Sequence, residues 1–571
     1  MRLRTGVGIL VMLAAFLAYV ATMAPGLTWL HDGADGGDLA AAVMVSGVPH
    51  PAGYPTYLLL AQVFASIPIR DVAYRLNLMS GACAAFSVGL VYLLVLHTCR
   101  SSVASTAVAS ISRAHPLMIG KMWTCLQCCP VAVAASVALM FAFSPVFWSQ
   151  AVITEVYALN ALFVAALLLV ALAVSRHKVL LCFIFGLALG NHLTAVLLIP
   201  TLVIMAGSGQ MVSPMQRKRS WANIAYPALA LFAGLSVYLI LPLRAAADPL
   251  VNWGQASTLS GFLWTISGGP YRAYAFGLPL ADVPGRLAAW AALLIEQFGW
   301  VGVTLMLLGL WDMLTGGVKH AGGDRVAIAD RIADTRCGWG LLLTFILYSV
   351  YALGYRTADS YLYMIPAYLV ATLWLGRGLF IVVAVFMSWV RRQTLTLPRE
   401  GTLVLMAGIA LSLLPLAQLT GHWSTADASR DHSAQEYAEE ALHSVPDGAI
   451  IITASDEHTF ALWYQTVNSH RDVLVVDRDL TQFDWYRRQV QRRITESPAP
   501  SDAVQPAQYV VRMIKEVAAR RAVYLADEDA VLLQTFRWQK DGLLWKLQWE
   551  EEDKQSSILE SLGEWHGLCI G

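Results

Sequence analysis

Along this chain, apolar residues come in long unbroken runs separated by short polar, basic or glycine-rich connectors. The runs extend roughly over Gly6–Ala24, Leu78–Leu96, Val131–Phe147, Val156–Val174, Ile224–Leu243, Phe298–Leu314, Trp339–Tyr355, Tyr361–Val385 and Leu403–Leu419. Each approaches the ~20 residues a helix needs to cross ~30 Å of hydrocarbon, and none shows the polar stripe of a soluble surface helix. Val179–Ala206 is also apolar but is interrupted at Gly190-Asn191-His192. It is predicted to form two half-membrane helices meeting at a polar turn that faces a cavity, because irregular backbone survives at membrane depth only where protein or water satisfies it. The first run follows Arg2 and Arg4 and mimics a signal peptide, but Pro25-Gly26 offers no small-x-small cleavage pattern, so a retained helix is expected.

After Thr420 the pattern changes. A helix-like Ser433–Ser444 precedes Pro446-Asp447-Gly448, the apolar run Ala449–Thr453 and the strand-like Val473–Val476. Helices alternating with short, wholly apolar strands predict a small α/β domain with a parallel sheet. Ile494–Gln505, carrying Pro498 and Pro500, reads as a linker or surface loop. Asp456, Glu457 and His458 at a strand end could form a site, although loops after strands are often acidic for solubility. The expected architecture is a polytopic α-helical membrane protein of about ten or eleven membrane helices, with a membrane domain over 1–420, an outer loop over 25–57, and a soluble α/β domain over 421–571.

Composition agrees with this picture: 57% of the 571 residues are hydrophobic and 14% charged, with mean hydropathy +0.55. The 39 basic and 39 acidic residues balance, which argues against a global field suited to nucleic acid. Local charge carries the topology instead. Arg2 and Arg4, then Arg100, Arg113 and Lys121, then Arg176 and Lys178, then Arg217–Arg219, then Arg391, Arg392 and Arg399 all favour the cytoplasm. The crossings keep parity if Val179–Ala206 enters and leaves on one side, placing the amino terminus inside and the loops around Pro25–Tyr57, Glu155 and Arg244–Arg286, with the tail, outside. Cysteines fall in spans or on the cytoplasmic side except Cys569, so no disulfide framework is implied. Cys125, Cys128 and Cys129 lack a second ligand pair at zinc spacing, and no metal site is assigned. Free cysteines lean modestly toward a bacterial inner membrane.

Candidate chemistry begins directly after the first span. His31-Asp32-Gly33-Ala34-Asp35-Gly36-Gly37-Asp38 gathers three carboxylates and a histidine in eight residues, followed by Pro49-His50-Pro51-Ala52-Gly53-Tyr54-Pro55. Such a loop could hold a divalent cation, though its spacing does not match an EF-hand; a solvated turn-rich loop is the bland alternative.

Together with Ala24-Pro25-Gly26-Leu27-Thr28-Trp29, Arg75-Leu76-Asn77, Glu155-Val156-Tyr157, Gly190-Asn191-His192-Leu193-Thr194, Leu241-Pro242-Leu243-Arg244, Asn252-Trp253-Gly254, Asp359, Pro366, Trp463-Tyr464 and Arg471-Asp472-Val473, these motifs resemble the GT-C-type polytopic glycosyltransferases that include the plexin-type protein O-mannosyltransferase. The resemblance implies transfer of a hexose, mannose among the candidates, from a polyprenyl-phosphate-linked donor to a hydroxyl on a protein or glycolipid, outside the cytoplasm. It also implies an acidic base in the first outer loop. Asp35 occupies the family's leading Asp, while Asp38 stands where Glu is usual, one methylene shorter.

A carboxylate beside a membrane cavity can have its pKa raised enough to take a hydroxyl proton. Asp35 is therefore the expected base, with Asp38 orienting it or the acceptor. A leaving phosphate needs fixed donors or positive charge; Arg244 is the first candidate and His192 the second. An arginine at a helix end often only snorkels, and a histidine in a turn often only satisfies carbonyls. Glu155, a site candidate, would also complement a helix dipole; His50 and Tyr54 are expected to line the site, and Asp359 either joins it or pairs with Arg356. A transporter or flippase for a lipid-linked sugar is the alternative from another class, since broken spans also mark transporters, but no inverted repeat is visible. A non-catalytic assembly factor is a third reading. No cofactor is assigned beyond the divalent cation that the acidic loop could hold, and whether one is required, which sugar is moved and which acceptor receives it are not legible in the sequence.

Overall fold

The computed structural model describes residues 2–111, 116–173, 177–207, 221–316, 325–393, 398–494 and 505–549. Among the described residues, six helices are long and apolar enough to cross a membrane: Leu3–Thr22, Val72–Cys99, Ala222–Ala245, Leu280–Thr315, Asp334–Gly354 and Asp359–Met387. A seventh follows if Cys129–Ala142 and Pro145–Ala151, bent by 69°, form one span. The bend has a local cause: Ser144 is extended and Pro145 starts the second piece, where its missing N–H costs nothing.

Several further expected spans are shorter apolar helices. Tyr157–Leu172, Lys178–Leu189 and Leu193–Met205 are apolar but have 10–17 residues each. The helix Tyr157–Ala173 fills nearly the whole of the expected run from Val156, and Val179–Ala206 breaks at Gly190-Asn191-His192 as anticipated. There His192 is extended and its side chain accepts from the Thr194 N–H, capping the next helix. The expected span Leu403–Leu419 lies within a 29-residue helix, Pro398–Ala426. The side chains of Cys125 and Cys128 and the proline-rich stretch after Ile494 lie outside the described residues.

Close crossings hold the helices together. A Cβ at Gly309 would sit 1.9 Å from the Trp374 carbonyl, and one at Gly378 would sit 1.9 Å from that of Leu305, so the two backbones touch where only glycine leaves room. In a lipid environment such dispersion packing replaces the hydrophobic drive available in water.

The carboxy-terminal region carries one five-stranded sheet: β1 (Ile450–Thr453), β2 (Leu474–Asp477), β3 (Val523–Leu525), β4 (Trp538–Asp541) and β5 (Leu544–Leu547), in the order β2-β1-β3-β5-β4. The parallel part matches the expectation, since β1 pairs in parallel with both β2 and β3. Beyond β3 the sheet turns antiparallel, because a tight hairpin at Gly542 (φ +60°) joins β4 directly to β5 and leaves no crossover. The sheet is therefore mixed.

This region docks onto the loop after the first helix and onto the segment around Asp248–Trp253. The Trp29 indole donates to the Glu457 carbonyl at 3.2 Å, Gln489 donates to the Leu250 carbonyl at 2.8 Å, and Arg492 meets Asp248 at 2.9 Å. The helix Asp456–Asn468 lies directly on the helix Asp35–Met44. At Gly37 a Cβ would come within 2.5 Å of the Phe460 carbonyl, so glycine sets that approach.

Candidate active site

Asp35 begins its helix and Asp38 follows three residues later, so both carboxylates project to one side of the first turn. The chain then returns through Val48 to His50. That return is stitched to a distant loop by backbone hydrogen bonds, Val48 N–H to Val251 at 2.9 Å and Trp253 N–H to Val48 at 3.1 Å. Trp253 is thereby brought under Asp38.

The two aspartates differ in surroundings. Asp38 is fully buried and accepts three hydrogen bonds: from the His50 backbone N–H at 2.8 Å and from the Trp253 indole at 3.0 Å, and it meets His50 Nδ1 at 2.7 Å. Its acceptor capacity is committed to holding His50. Asp35 is 44% exposed and lies 3.4 Å from His50 Nε2. The same Nε2 is 3.1 Å from the Tyr54 hydroxyl, which donates to the Pro51 carbonyl at 3.4 Å.

Charge explains how His50 behaves. Burial alone lowers an imidazole pKa, but Asp35, the hydrogen bond and charge of Asp38, and Glu155 outweigh it and push His50 up to about 9. At neutral pH it is an imidazolium that donates to both sides. Although solvent reaches its side chain, the protein packed around Asp35 raises its carboxyl, while His50 opposes the rise and Asp38 and Asp359 add to it. The result is a solvent-reached carboxylate of increased basicity beside a fixed cation.

More carboxylates converge here. Glu155 is buried, its Oε2 accepts from the Val156 N–H at 3.2 Å, and burial followed by the Asp35 charge pushes it well above its usual range. Asp359 opens the turn Asp359–Met364, and its charge acts on both Asp35 and Glu155. The sequence-predicted Asp35, Asp38, His50 and Tyr54 are thus in direct contact, and Glu155 and Asp359 are coupled to them through charge.

His192 and Arg244 stand apart from this contact group. The His192 ring lies 5.7 Å from both Tyr157 and Tyr363, with Nδ1 2.7 Å from Thr194 Oγ1, so it borders an aromatic wall. Arg244 donates to the Gly47 carbonyl at 3.3 Å and to Gln62 at 3.4 Å. Near Asp359, a cavity of about 450 Å³ is lined by His31, Arg286, Trp290, Ser360 and Tyr361. Among the described residues, no cluster of three or more His, Cys, Asp or Glu is arranged to hold a metal ion.

Sequence reasoning assigned no role to Trp253, Tyr271 or Phe460. Phe460 stacks on His50 at 6.4 Å and 11°, while Trp253 and Tyr271 approach its ring edgewise at 6.2 and 6.3 Å. Trp253 lay in a quoted motif, but nothing local in the sequence ties position 253 to position 38.

Comparison with known proteins bears on this arrangement. Residues 35–214 match the family described as the Protein O-mannosyl-transferase TMEM260 N-terminal domain, and residues 434–557 match TMEM260-associated domain 2. The chain belongs to the GT-C-type O-mannosyltransferase family. Family relatives include Protein O-mannosyl-transferase TMEM260 of Mus musculus, 23% identical over 97% of this chain and 75% of the relative. The Dictyostelium discoideum protein of that name is 21% identical over 86% of this chain, which spans 58% of its length. The GT-C fold is shared with ArnT from Cupriavidus metallidurans, solved bound to undecaprenyl phosphate, at TM-score 0.52 and 12% identity, covering 95% and 97% of the two chains. The chain is a multi-pass membrane glycosyltransferase. The first family match begins at Asp35, the residue that opens the site.

Proposed function

We propose that this enzyme transfers a hexose, mannose being the family's sugar, from a polyprenyl-phosphate-linked donor to a hydroxyl of a protein acceptor, with Asp35 as general base. The observation carrying the reading is the inequality of the two aspartates: Asp38 is buried and committed to His50, whereas Asp35 is open to solvent and free to meet a substrate. In the step envisaged, Asp35 takes the acceptor's hydroxyl proton as that oxygen bonds to the anomeric carbon. The bond from that carbon to the phosphate oxygen breaks, and the carrier phosphate leaves with the electron pair. The His50 imidazolium, held by Asp38, offsets the negative charge gathered around Asp35. Arg244 is assigned to the donor phosphate, Tyr54 and Glu155 to the sugar pocket, and His192 and Asp359 to its membrane-side wall.

The chain is assigned to a cell membrane with its amino terminus cytoplasmic and 421–571 extracytoplasmic, in keeping with its basic clusters. The test is transfer of radiolabelled sugar from a synthetic polyprenyl phosphate donor in membranes holding wild type, Asp35→Asn or Asp38→Asn at equal protein levels. Transfer by wild type that vanishes in Asp35→Asn is expected. Full transfer by Asp35→Asn would overturn the assignment of the base, and passage of the lipid-linked sugar across the bilayer without transfer would replace the enzyme by a transporter.

A further inference from the structure

The carboxy-terminal domain puts its own carboxylate into the site. Asp456 is the first residue of the helix Asp456–Asn468, and Phe460 lies one turn further on the same face. Phe460 stacks in parallel on the His50 ring, so this face of the helix looks onto the pair Asp35 and His50. Contact at Gly37 holds the two helices together. Tyr271, on a third segment, feels the charges of Asp35, Asp456 and Asp38 together, which places one ring among all three carboxylates.

Structural duties that acidic residues at helix starts commonly perform are filled by neighbours. The cap is Ser455, whose side chain accepts from the His458 N–H. Other aspartates at the same ends of the sheet are fully engaged. Asp477 accepts from Leu480 N–H and from Thr459, both at 2.9 Å, Asp527 accepts from Ala454 N–H and meets His458, and Asp529 accepts from Leu532 N–H and pairs with Arg478. Among the described residues, none donates a hydrogen bond to Asp456, which is exposed and left open to an incoming donor. A carboxylate serving only the helix dipole would be held low. Asp456 is exposed to solvent, yet the protein packed around it, then the charges of Asp35 and Asp477, push it up to about 7, with His50 opposing and Asp38 adding.

We infer that Asp456 is an acceptor-positioning residue: its carboxylate accepts a hydrogen bond from the incoming hydroxyl-bearing polypeptide and aligns that hydroxyl with Asp35. The inference rests on the transferase reading above. The direction of approach selects acceptor over donor. A polyprenyl carrier must enter from the bilayer, whereas Asp456 belongs to the α/β region, outside the apolar helices. The class of acceptor follows from the same placement, since a segment of polypeptide would lie along this domain and reach Asp35 past Asp456 and Phe460.

The experiment measures two rates on full-length protein: sugar transfer to a serine- or threonine-containing peptide, and slow hydrolysis of the same donor without peptide. Asp456→Asn is expected to raise the KM for peptide about tenfold or more, the worth of one hydrogen bond to a charged group, and to leave the donor's KM and its hydrolysis unchanged. Asp456→Glu should recover part of the peptide affinity. Glu457→Gln, altering the adjacent exposed carboxylate, should match wild type. An unchanged peptide KM in Asp456→Asn, or an equal fall in hydrolysis and transfer, overturns the inference. If wild type hydrolyses and transfers from no polyprenyl phosphate donor, the parent reading fails and takes this inference with it, a result distinct from either.

Discussion

Two parts of this molecule place a cation between two aspartates, and they have opposite characters. At one end of the membrane domain, buried Arg377 meets Asp312 at 2.6 Å and Asp334 at 2.9 Å and donates to the Thr98 carbonyl. Both carboxylates are only 13% exposed, so the network ties four helices together and is closed to solvent. In the loop that follows the first helix, His50 lies between Asp38 at 0% exposure and Asp35 at 44%. One side is closed and the other open, and Glu155, Asp359 and Asp456 crowd around the single imidazolium. A saturated network stabilises, whereas one left short of positive charge and open on one side is prepared to take a proton.

Changing the open side should have the largest catalytic effect. Asp35→Asn is expected to lower transfer by about 10²–10⁴-fold, the range for loss of a general base, with thermal melting of the detergent-solubilised protein unchanged. A drop in melting temperature matching the drop in rate would make the two networks alike and end the contrast.

Breaking the closed network should do the reverse. Arg377→Met removes the cation that two largely buried carboxylates share, at a cost of about 3–5 kcal/mol. It should appear as lower yield and melting temperature, with normal turnover per folded molecule.

Asp38→Asn tests the boundary between the two behaviours. It keeps an acceptor but removes the charge, so a fall in turnover of about 10- to 100-fold is expected from a misheld His50. It also moves the pH response. Because the His50 pKa is raised to about 9, His50 contributes stability that is complete below about 6.5 and is lost as pH rises through about 9. Melting curves of wild type between pH 6 and 10 should show that loss, and in Asp38→Asn it should begin at lower pH.

The smallest effect is expected at Arg244, which is partly exposed and bonded to Gly47 and Gln62. Arg244→Gln should raise the donor KM about tenfold with turnover nearly constant, as for loss of a charge-assisted hydrogen bond. An unchanged KM would move phosphate binding to another cation.

Much of this was legible in the sequence because it depends on local pattern. Long apolar runs, the break at Gly190-Asn191-His192 and the short strands at Ile450 and Leu474 follow from which residues can lie in lipid or in a buried sheet. Asp35, Asp38, His50 and Tyr54 were also legible, since they lie within twenty residues of one another. The length of each crossing was less so, because the bend at Pro145 falls inside an apolar run without interrupting its apolarity.

What only the tertiary structure decided was the division of labour. Which aspartate is saturated depends on Trp253, more than two hundred residues from Asp38. Whether the tail belongs to the site depends on Gly37 admitting the Phe460 backbone. Hydrophobicity acts on each residue where it stands, so it can be read along the chain. Hydrogen bonds and charge act only between groups that folding brings within a few ångströms, and those partners come from distant loops and a separate domain.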